Sequence, residues 1–405
     1  MKNMSRSTWM TILVCTLGYF VDIYDLVLFS VVRVPSLKSL GYEGADLLNV
    51  GVTLLNSQMI GMLIGGVLWG MLGDKKGRVS TLFGSILLYS VANIANAFVQ
   101  NAEQYAVLRF LAGIGLAGEL GAALTLVSEI MPKETRGYGA TIVAGVGLSG
   151  AIAAGISGQQ LDWKTAYIVG GVLGLILLVL RVSTAESTMF SSLKNKSVSR
   201  GNFLKLFYPR KRFLKYLACI AIGLPVWCVV GILVTFSPEI CPLLGITEPI
   251  SVGKAIMNTY IGVTVGDIIA GLLSQLLRNR RKVVFGYLCL ILLSVFATLG
   301  FQYKTADAFY NFCILLGFAT GYWAVFTAVA AEQFGTNLRA SAAVSIPNIV
   351  RAGVVPLTFA FRSISPTLSP VLTVAVLSTA CVAIAMIALW SLQETFGKDL
   401  DYLEE

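Results

Sequence analysis

The sequence predicts an all-α integral membrane protein of twelve transmembrane helices in two six-helix bundles. Three observations predict it: an apolar composition, twelve apolar runs of spanning length, and a repeat at half the chain length. The chain has 405 residues, 56% of them hydrophobic and only 13% charged, with a mean hydropathy of +0.78. Soluble domains carry about 25% charged residues. A soluble globule of this size would need more polar surface than this chain supplies. A chain whose outer face meets lipid does not, provided its backbone is hydrogen-bonded internally, as in a helix. Each crossing takes about 20 apolar residues.

The first bundle is expected over 1–182, with spans at 8–32, 48–72, 80–99, 105–130, 138–158 and 165–182. The second is expected over 212–393, with spans at 212–236, 250–277, 283–301, 308–332, 339–361 and 369–393. The polar stretch Ser183 to Lys211, rich in Ser, Lys and Arg, reads as a cytoplasmic linker, and 394–405 as a cytoplasmic tail. Lys2 and Arg6 before an apolar run have the look of a signal peptide. Asp22 and Asp25 interrupt that run and no small-residue cleavage pattern follows, so it reads as the first span.

Charge sets the orientation. With both termini inside, the inner segments hold 22 of the 30 Lys and Arg residues and the outer segments six, while Arg109 and Arg351 fall within spans. That bias places both termini in the cytoplasm and the chain in a plasma or inner membrane. The net charge of +9 then resides in short loops facing an anionic leaflet, and calls for no nucleic-acid partner.

The halves repeat. Glu129 and Arg136 in one block and Glu332 and Arg339 in another are each separated by seven positions, and the blocks lie 203 residues apart. Internal repeats with a solute site at their interface are how many secondary transporters are built.

Composition also excludes chemistry. There is no histidine, which removes imidazole bases and most zinc sites. The seven cysteines show no metal-ligand spacing and read as small packing residues. No catalytic set, metal site or cofactor is expected. Gly145-Val-Gly147-Leu-Ser-Gly150 matches G-x-G-x-x-G, but no strand precedes it, so it reads as close helix packing.

After the second span the chain reads Gly70-Met-Leu-Gly-Asp74-Lys75-Lys76-Gly77-Arg78. Leu108-Arg109-Phe-Leu-Ala-Gly113-Ile-Gly115 and Pro132-Lys133-Glu134-Thr135-Arg136-Gly137 follow in order. In these motifs the chain resembles the major facilitator superfamily, along essentially its whole length. The resemblance implies that family's fold, and a conformational gate at Asp74, Arg78, Glu129, Arg136, Glu332 and Arg339. The second copy of the loop signature departs from the pattern, with Gln275 at the Asp position. Ala117-Gly118-Glu119-Leu120-Gly121-Ala122 is similar to a block of the metabolite:proton symporters. Tyr24-Asp25-Leu26 with Phe29 is similar to those and the sugar porters, and so is the tail from Glu394 to Leu400.

Ionisable groups inside spans are costly, at least about 2.5 kcal/mol each, so they face a cavity and a partner. Asp22 and Asp25 are three apart and share a helix face with Tyr19 and Phe29. Helical rise puts Asp25 and Arg109 at matching depths, about 10 and 8 Å in. An Asp25 (or Asp22) pair with Arg109 that opens on proton binding is expected, and the sugar-porter resemblance implies the same. A static structural ion pair is the alternative. Glu119 is a second proton-site candidate, against a helix-packing hydrogen bond.

In the second half, Arg351 falls near mid-bilayer with Asn348 on its face, and reads as an anchor for a substrate carboxylate or phosphate. The alternative is a pair with Asp267. Tyr260, Trp227, Tyr322, Trp323 and Gln58 are candidates to line the same cavity. The expected function is proton-coupled symport of a small organic solute (organic acid, amino acid or sugar) by alternating access, by a monomer that is not an enzyme. The rivals are an ungated facilitator or exporter of the same fold, and a non-transporting nutrient sensor.

Overall fold

The computed structural model describes residues 6–131, 136–181, 203–398, 402 and 404. Within them, twelve helices are long and apolar enough to cross a membrane. In the first bundle these are α1 (Thr8–Ser39), α2 (Asn49–Gly73), α3 (Val79–Asn96), α4 (Ala102–Val127), α5 (Ile142–Gln160) and α6 (Trp163–Leu180). In the second they are α7 (Arg210–Val234), α8 (Val252–Leu276), α9 (Arg280–Gly300), α10 (Ala306–Glu332), α11 (Ser341–Leu368) and α12 (Pro370–Ser391). The expected linker lies mostly outside the described residues, and Phe203–Phe207 forms a short 3₁₀ helix ahead of α7.

Small residues let helices meet backbone to backbone, which is how apolar helices associate where lipid offers no hydrophobic drive. A Cβ on Gly61 would stand 2.2 Å from the Phe110 carbonyl oxygen, and one on Gly113 would stand 2.1 Å from that of Gln58. Those two glycines seat α2 on α4. The second bundle repeats the contact: a Cβ on Gly262 would stand 2.0 Å from the Ile314 carbonyl oxygen and one on Gly317 would stand 1.8 Å from that of Thr259, so these glycines seat α8 on α10. The internal repeat is therefore a repeat of packing. Gly147 and Gly150 press α5 onto Tyr19 and the Phe20 carbonyl of α1, so this glycine run packs helices.

Two spans are longer than the apolar runs suggest. α1 continues through Arg33 and Pro35 to Ser39, and α11 runs to Leu368. Arg33 does not end the helix because it is buried and paired with Glu239.

Several spans are interrupted. α4 breaks at 117–118 and α10 at 321–322. Asp267 of α8 repairs the second break: its Oδ1 accepts from the Ala324 amide at 2.7 Å. A carboxylate at a helix N-terminus satisfies an orphan donor and the local dipole.

Gln275 cannot supply the acid that the loop signature calls for, and the chain supplies it from elsewhere. Glu394, just past α12, accepts from the Arg280 and Arg281 amides at 3.1 Å each and so caps α9. Burial alone would raise the Glu394 pKa. The backbone N–H groups of Arg281, Phe396, Arg280 and Thr395 outweigh burial and hold it below the ordinary carboxylate value. The Arg280 guanidinium reaches Glu332 at 2.8 Å.

Candidate functional site

A narrow cavity lies between the bundles. Tyr19 and Ile23 of α1 and Leu148 of α5 form one wall. Val226, Trp227 and Val230 of α7, Tyr260 and Val263 of α8, Trp323 of α10 and Arg351 of α11 form the other. Its free space is about 20 Å³, roughly the room of one water, so a solute enters only when the bundles part.

The wall is apolar and aromatic apart from one cluster of donors. The Arg351 guanidinium lies over the Trp323 ring at 5.5 Å, a cation–π contact. Its Nη1 donates to Asn348 Oδ1 at 3.2 Å. Asn348 Nδ2 donates in turn to the Ala117 carbonyl at 2.7 Å, at the break in α4, and so ties Arg351 to the opposite bundle. Arg351 Nε, Trp323 Nε1 and Tyr19 Oη are buried and have no hydrogen-bond partner in the protein. Buried polar groups are nearly always satisfied, so these three donors are available to a ligand or to water that enters the cavity.

Behind Tyr19 lie the buried acids. Asp22 and Asp25 are fully buried, and neither carboxylate has a hydrogen bond of good geometry. Arg351 is the cation that acts most strongly on Asp22, across the bundle interface. Arg109 is the one that acts on Asp25. The expected direct Asp25–Arg109 ion pair is not formed. Arg109 Nη2 instead donates to Asn93 Oδ1 at 2.5 Å, and its guanidinium lies over the Tyr167 ring at 4.9 Å. Asn93 is the neutral acceptor that diverts it, and sequence spacing gave no sign of that.

Glu119 has a partner at the end of the sixth expected span. It makes a short charge-assisted contact with Arg181, at the end of α6, and both side chains are buried. Arg181 therefore belongs to the bundle interior. Gly18 makes room for the pair, since a Cβ there would overlap Arg181 and Glu119. Removing one member of a buried pair strands the other charge. Glu119→Ala is expected to lower stability by about 3–5 kcal/mol. Glu119→Gln with Arg181→Gln should recover most of that. Thermal unfolding in detergent measures both, and a Glu119→Ala protein that melts with the wild type would remove the pair from any structural account.

Three further expectations are corrected. Tyr322 does not line the cavity: its hydroxyl donates to the Ile222 carbonyl at 2.7 Å and its ring packs on Tyr287. Gln58 lies inside the first bundle, donating to the Leu26 carbonyl at 3.1 Å. Asp267 does not pair with Arg351; its Oδ1 caps the second half of α10 instead.

Both ends of the interface are closed. At the basic face, Glu129 meets Arg339 of the other bundle at 3.8 Å. The side chains of Asp74, Arg78 and Arg136 lie outside the described residues. At the opposite face, Arg33 of α1 pairs with Glu239 at 3.2 Å and lies over the Phe236 ring at 5.4 Å. Arg362 of α11 donates to Asn49 of α2 there. Sequence reasoning placed Arg33 in an outer loop, and only the bundle interface reveals its acid. Among the described residues no cluster of three or more Cys, Asp or Glu is placed to hold a metal ion.

The chain matches the sequence profile of the Major Facilitator Superfamily over residues 15–354. It is 32% identical to a 4-hydroxybenzoate transporter of Pseudomonas putida over 204 residues, a match that spans 49% of this chain and 45% of that protein. It is 26% identical to a gentisate transporter of Corynebacterium glutamicum, across 79% of this chain and 73% of that one. It is 28% identical to a 3-(3-hydroxy-phenyl)propionate transporter of Escherichia coli, across 71% of each chain. These relatives are named as transporters of small organic solutes, not as enzymes. In structure it is similar to the proton:xylose symporter XylE bound to 6-bromo-6-deoxy-D-glucose, with a TM-score of 0.74 over 97% of this chain and 98% of that one at 16% identity. The profile match, the twelve spans and the shared fold lead to one conclusion: the chain belongs to the major facilitator superfamily.

Proposed function

We propose that the chain is a proton-coupled symporter that imports a small organic anion, a carboxylate with an aromatic or otherwise apolar body. The observation that carries this is the donor cluster of Arg351, Trp323 and Tyr19 set in a wall of Ile23, Val226, Trp227, Val230, Tyr260 and Val263. A carboxylate accepts from such donors, and its body fills the apolar remainder. A sugar needs donors and acceptors around its whole ring, and Ile23, Leu148, Val226, Val230 and Val263 offer none. The names of the aromatic-acid transporters above describe the same chemistry.

Charge balance supports the proton. Asp22, Asp25 and Glu119 stand against Arg109, Arg181 and Arg351, three carboxylates to three guanidiniums, all buried, and the charge of the fourth buried acid, Asp267, is offset by the helix N-terminus it caps. Unbalanced charge in a low-dielectric interior is expensive. A substrate anion arriving at Arg351 adds one negative charge, and one proton on a carboxylate restores neutrality. Asp22 is the acid that shares Arg351 with the substrate. Rocking of the bundles then exposes the loaded cavity to either side, with Glu129–Arg339 closing the cytoplasmic end and Arg33–Glu239 the outer end. The orientation rests on the bias of Lys and Arg toward the face with residues 210–215 and 278–282. The protein acts in this reading as a monomer in a plasma or inner membrane.

Proteoliposomes with an acid-outside pH step test the reading. Aromatic carboxylates are expected to carry protons inward and to accumulate, and their amides are not. Uptake of labelled carboxylate that stops at equal concentrations and ignores the pH step would leave a facilitator. A response to sugars alone would overturn the substrate class.

A further inference from the structure

Between the central cavity and the Glu129–Arg339 contact, α11 lies against the first bundle along a seam built on glycines. A Cβ on Gly70 would stand 3.0 Å from Ser341 Cα, one on Gly121 2.5 Å from Val344 Cα, and one on Gly66 2.9 Å from Asn348 Cβ. Ser341, Val344, Ser345 and Asn348 are all buried there.

Asn348 crosses this seam by a hydrogen bond and also holds the cation of the cavity. Its Nδ2 donates to the Ala117 carbonyl of α4 and to the Val344 carbonyl one turn back, both at 2.7 Å. Those two bonds use both amide hydrogens. Its Oδ1 accepts from Arg351 Nη1 at 3.2 Å. Two carbonyls on one side and a guanidinium on the other fix which way the amide faces. Reversed, its oxygen would meet two carbonyls and its nitrogen a cation. Asn348 stands behind Arg351, outside the cavity wall.

The helix that carries both residues is weak at this point. Pro347 has no N–H, so the Ala343 carbonyl lacks its helical donor. The helix breaks again at Gly353. Asn348 and Arg351 therefore occupy a short stretch between two interruptions, which can turn with little loss of backbone hydrogen bonding.

We propose that Asn348 is a positioning residue that couples occupancy of Arg351 to parting of this seam. The inference rests on Arg351 as the anchor of the solute. In the empty protein Arg351 holds the amide oxygen, and the amide nitrogen holds Ala117. A solute carboxylate accepts from the same guanidinium, and a charged acceptor outcompetes a neutral amide for it. When Arg351 turns to the anion, Asn348 Oδ1 loses its donor and the amide is no longer held toward Ala117. The solute thus stabilises the parted state over the closed one, the differential interaction that any ligand-driven change requires.

Ser341→Cys places a reporter thiol in the seam. Its rate of labelling by a charged maleimide, in full-length protein in neutral detergent, reads the parting. Benzoate is expected to speed labelling of this reference several-fold, and benzamide is not. Adding Asn348→Ala is expected to speed labelling about ten-fold without solute, and benzoate should then add nothing. Asn348→Asp keeps the side-chain volume and the contact with Arg351 but cannot donate to Ala117, so it should act likewise. Unfolding would also expose buried native cysteines such as Cys15 and Cys313, so labelling of each variant without Ser341→Cys is measured and subtracted. Arg351→Met removes the donor to Asn348. It should speed labelling by itself and add nothing to Asn348→Ala, because both disable one device. That cycle contains no ligand. Additive effects in it, or labelling of Asn348→Ala or Asn348→Asp at the reference rate, overturn the proposal. A non-additive cycle in which benzoate leaves the reference unchanged upholds the link from Arg351 to the seam and overturns the substrate class instead.

Discussion

Replacing Arg351 with Gln is expected to lower kcat/KM for a carboxylate solute by about 10²–10³-fold. Truncating one partner of a buried, hydrogen-bonded charge pair costs roughly 2–5 kcal/mol, and each 1.4 kcal/mol is a factor of ten. Among the described residues Arg351 is the sole cation in the cavity wall. Lys at this position should recover little. It cannot keep both the stack on Trp323 and the fork contact to Asn348, because an ammonium is a compact point charge. The amide of the same solute gives the contrast: it never paired with the guanidinium charge, so its uptake should change far less, and the preference for acid over amide should collapse. A purely structural role for Arg351 would depress both solutes together and would show in the melting temperature. Initial rates in proteoliposomes, acid and amide side by side, decide between them.

The spans were legible because apolar runs of about 20 residues have no other stable use. Arg351, Trp227 and Tyr260 were legible as candidates because a charge or large aromatic at mid-span needs a reason, and all three stand at the cavity. What the sequence hid was pairing across helices. Arg181 stood without an acid at the end of the sixth expected span, and only the approach of α1, α4 and α6 gives it Glu119. Arg33 looked like the end of a span until Glu239, 206 residues away, neutralised it. Helical rise predicts Asp25 and Arg109 at matching depths. Depth says nothing about which neighbour a guanidinium chooses, and Asn93 took it. The missing acid of the second loop signature was a local reading of a non-local function, since Glu394 returns from beyond α12 to do the capping. The unpaired Trp323 indole was beyond any sequence signal, because whether a donor is satisfied depends on every helix around it.

Asp22→Asn is expected to abolish proton-driven accumulation while leaving solute exchange intact. With one proton per solute anion, an inward step of one pH unit supports about a ten-fold concentration ratio, since a pH unit is worth 1.36 kcal/mol. The wild type should approach that ratio. The Asn variant should stop near unity, because an amide holds Arg351 no differently at either pH. Counterflow, in which labelled solute exchanges across vesicles without a gradient, should persist and lose its pH dependence. Asp25→Asn discriminates between two routes for the proton. If Asp25→Asn still accumulates solute, coupling runs through competition between Asp22 and the substrate for Arg351, and the Asp25–Asn93–Arg109 group only holds α1 against α3 and α4. If Asp25→Asn also falls to unity while Asp22→Asn accumulates, the proton acts at Arg109 instead, and the solute anion and the proton occupy different cations. Accumulation retained by both variants would free these acids from coupling altogether. The three-to-three charge balance would then describe a static core, with Arg351 binding its anion unaided.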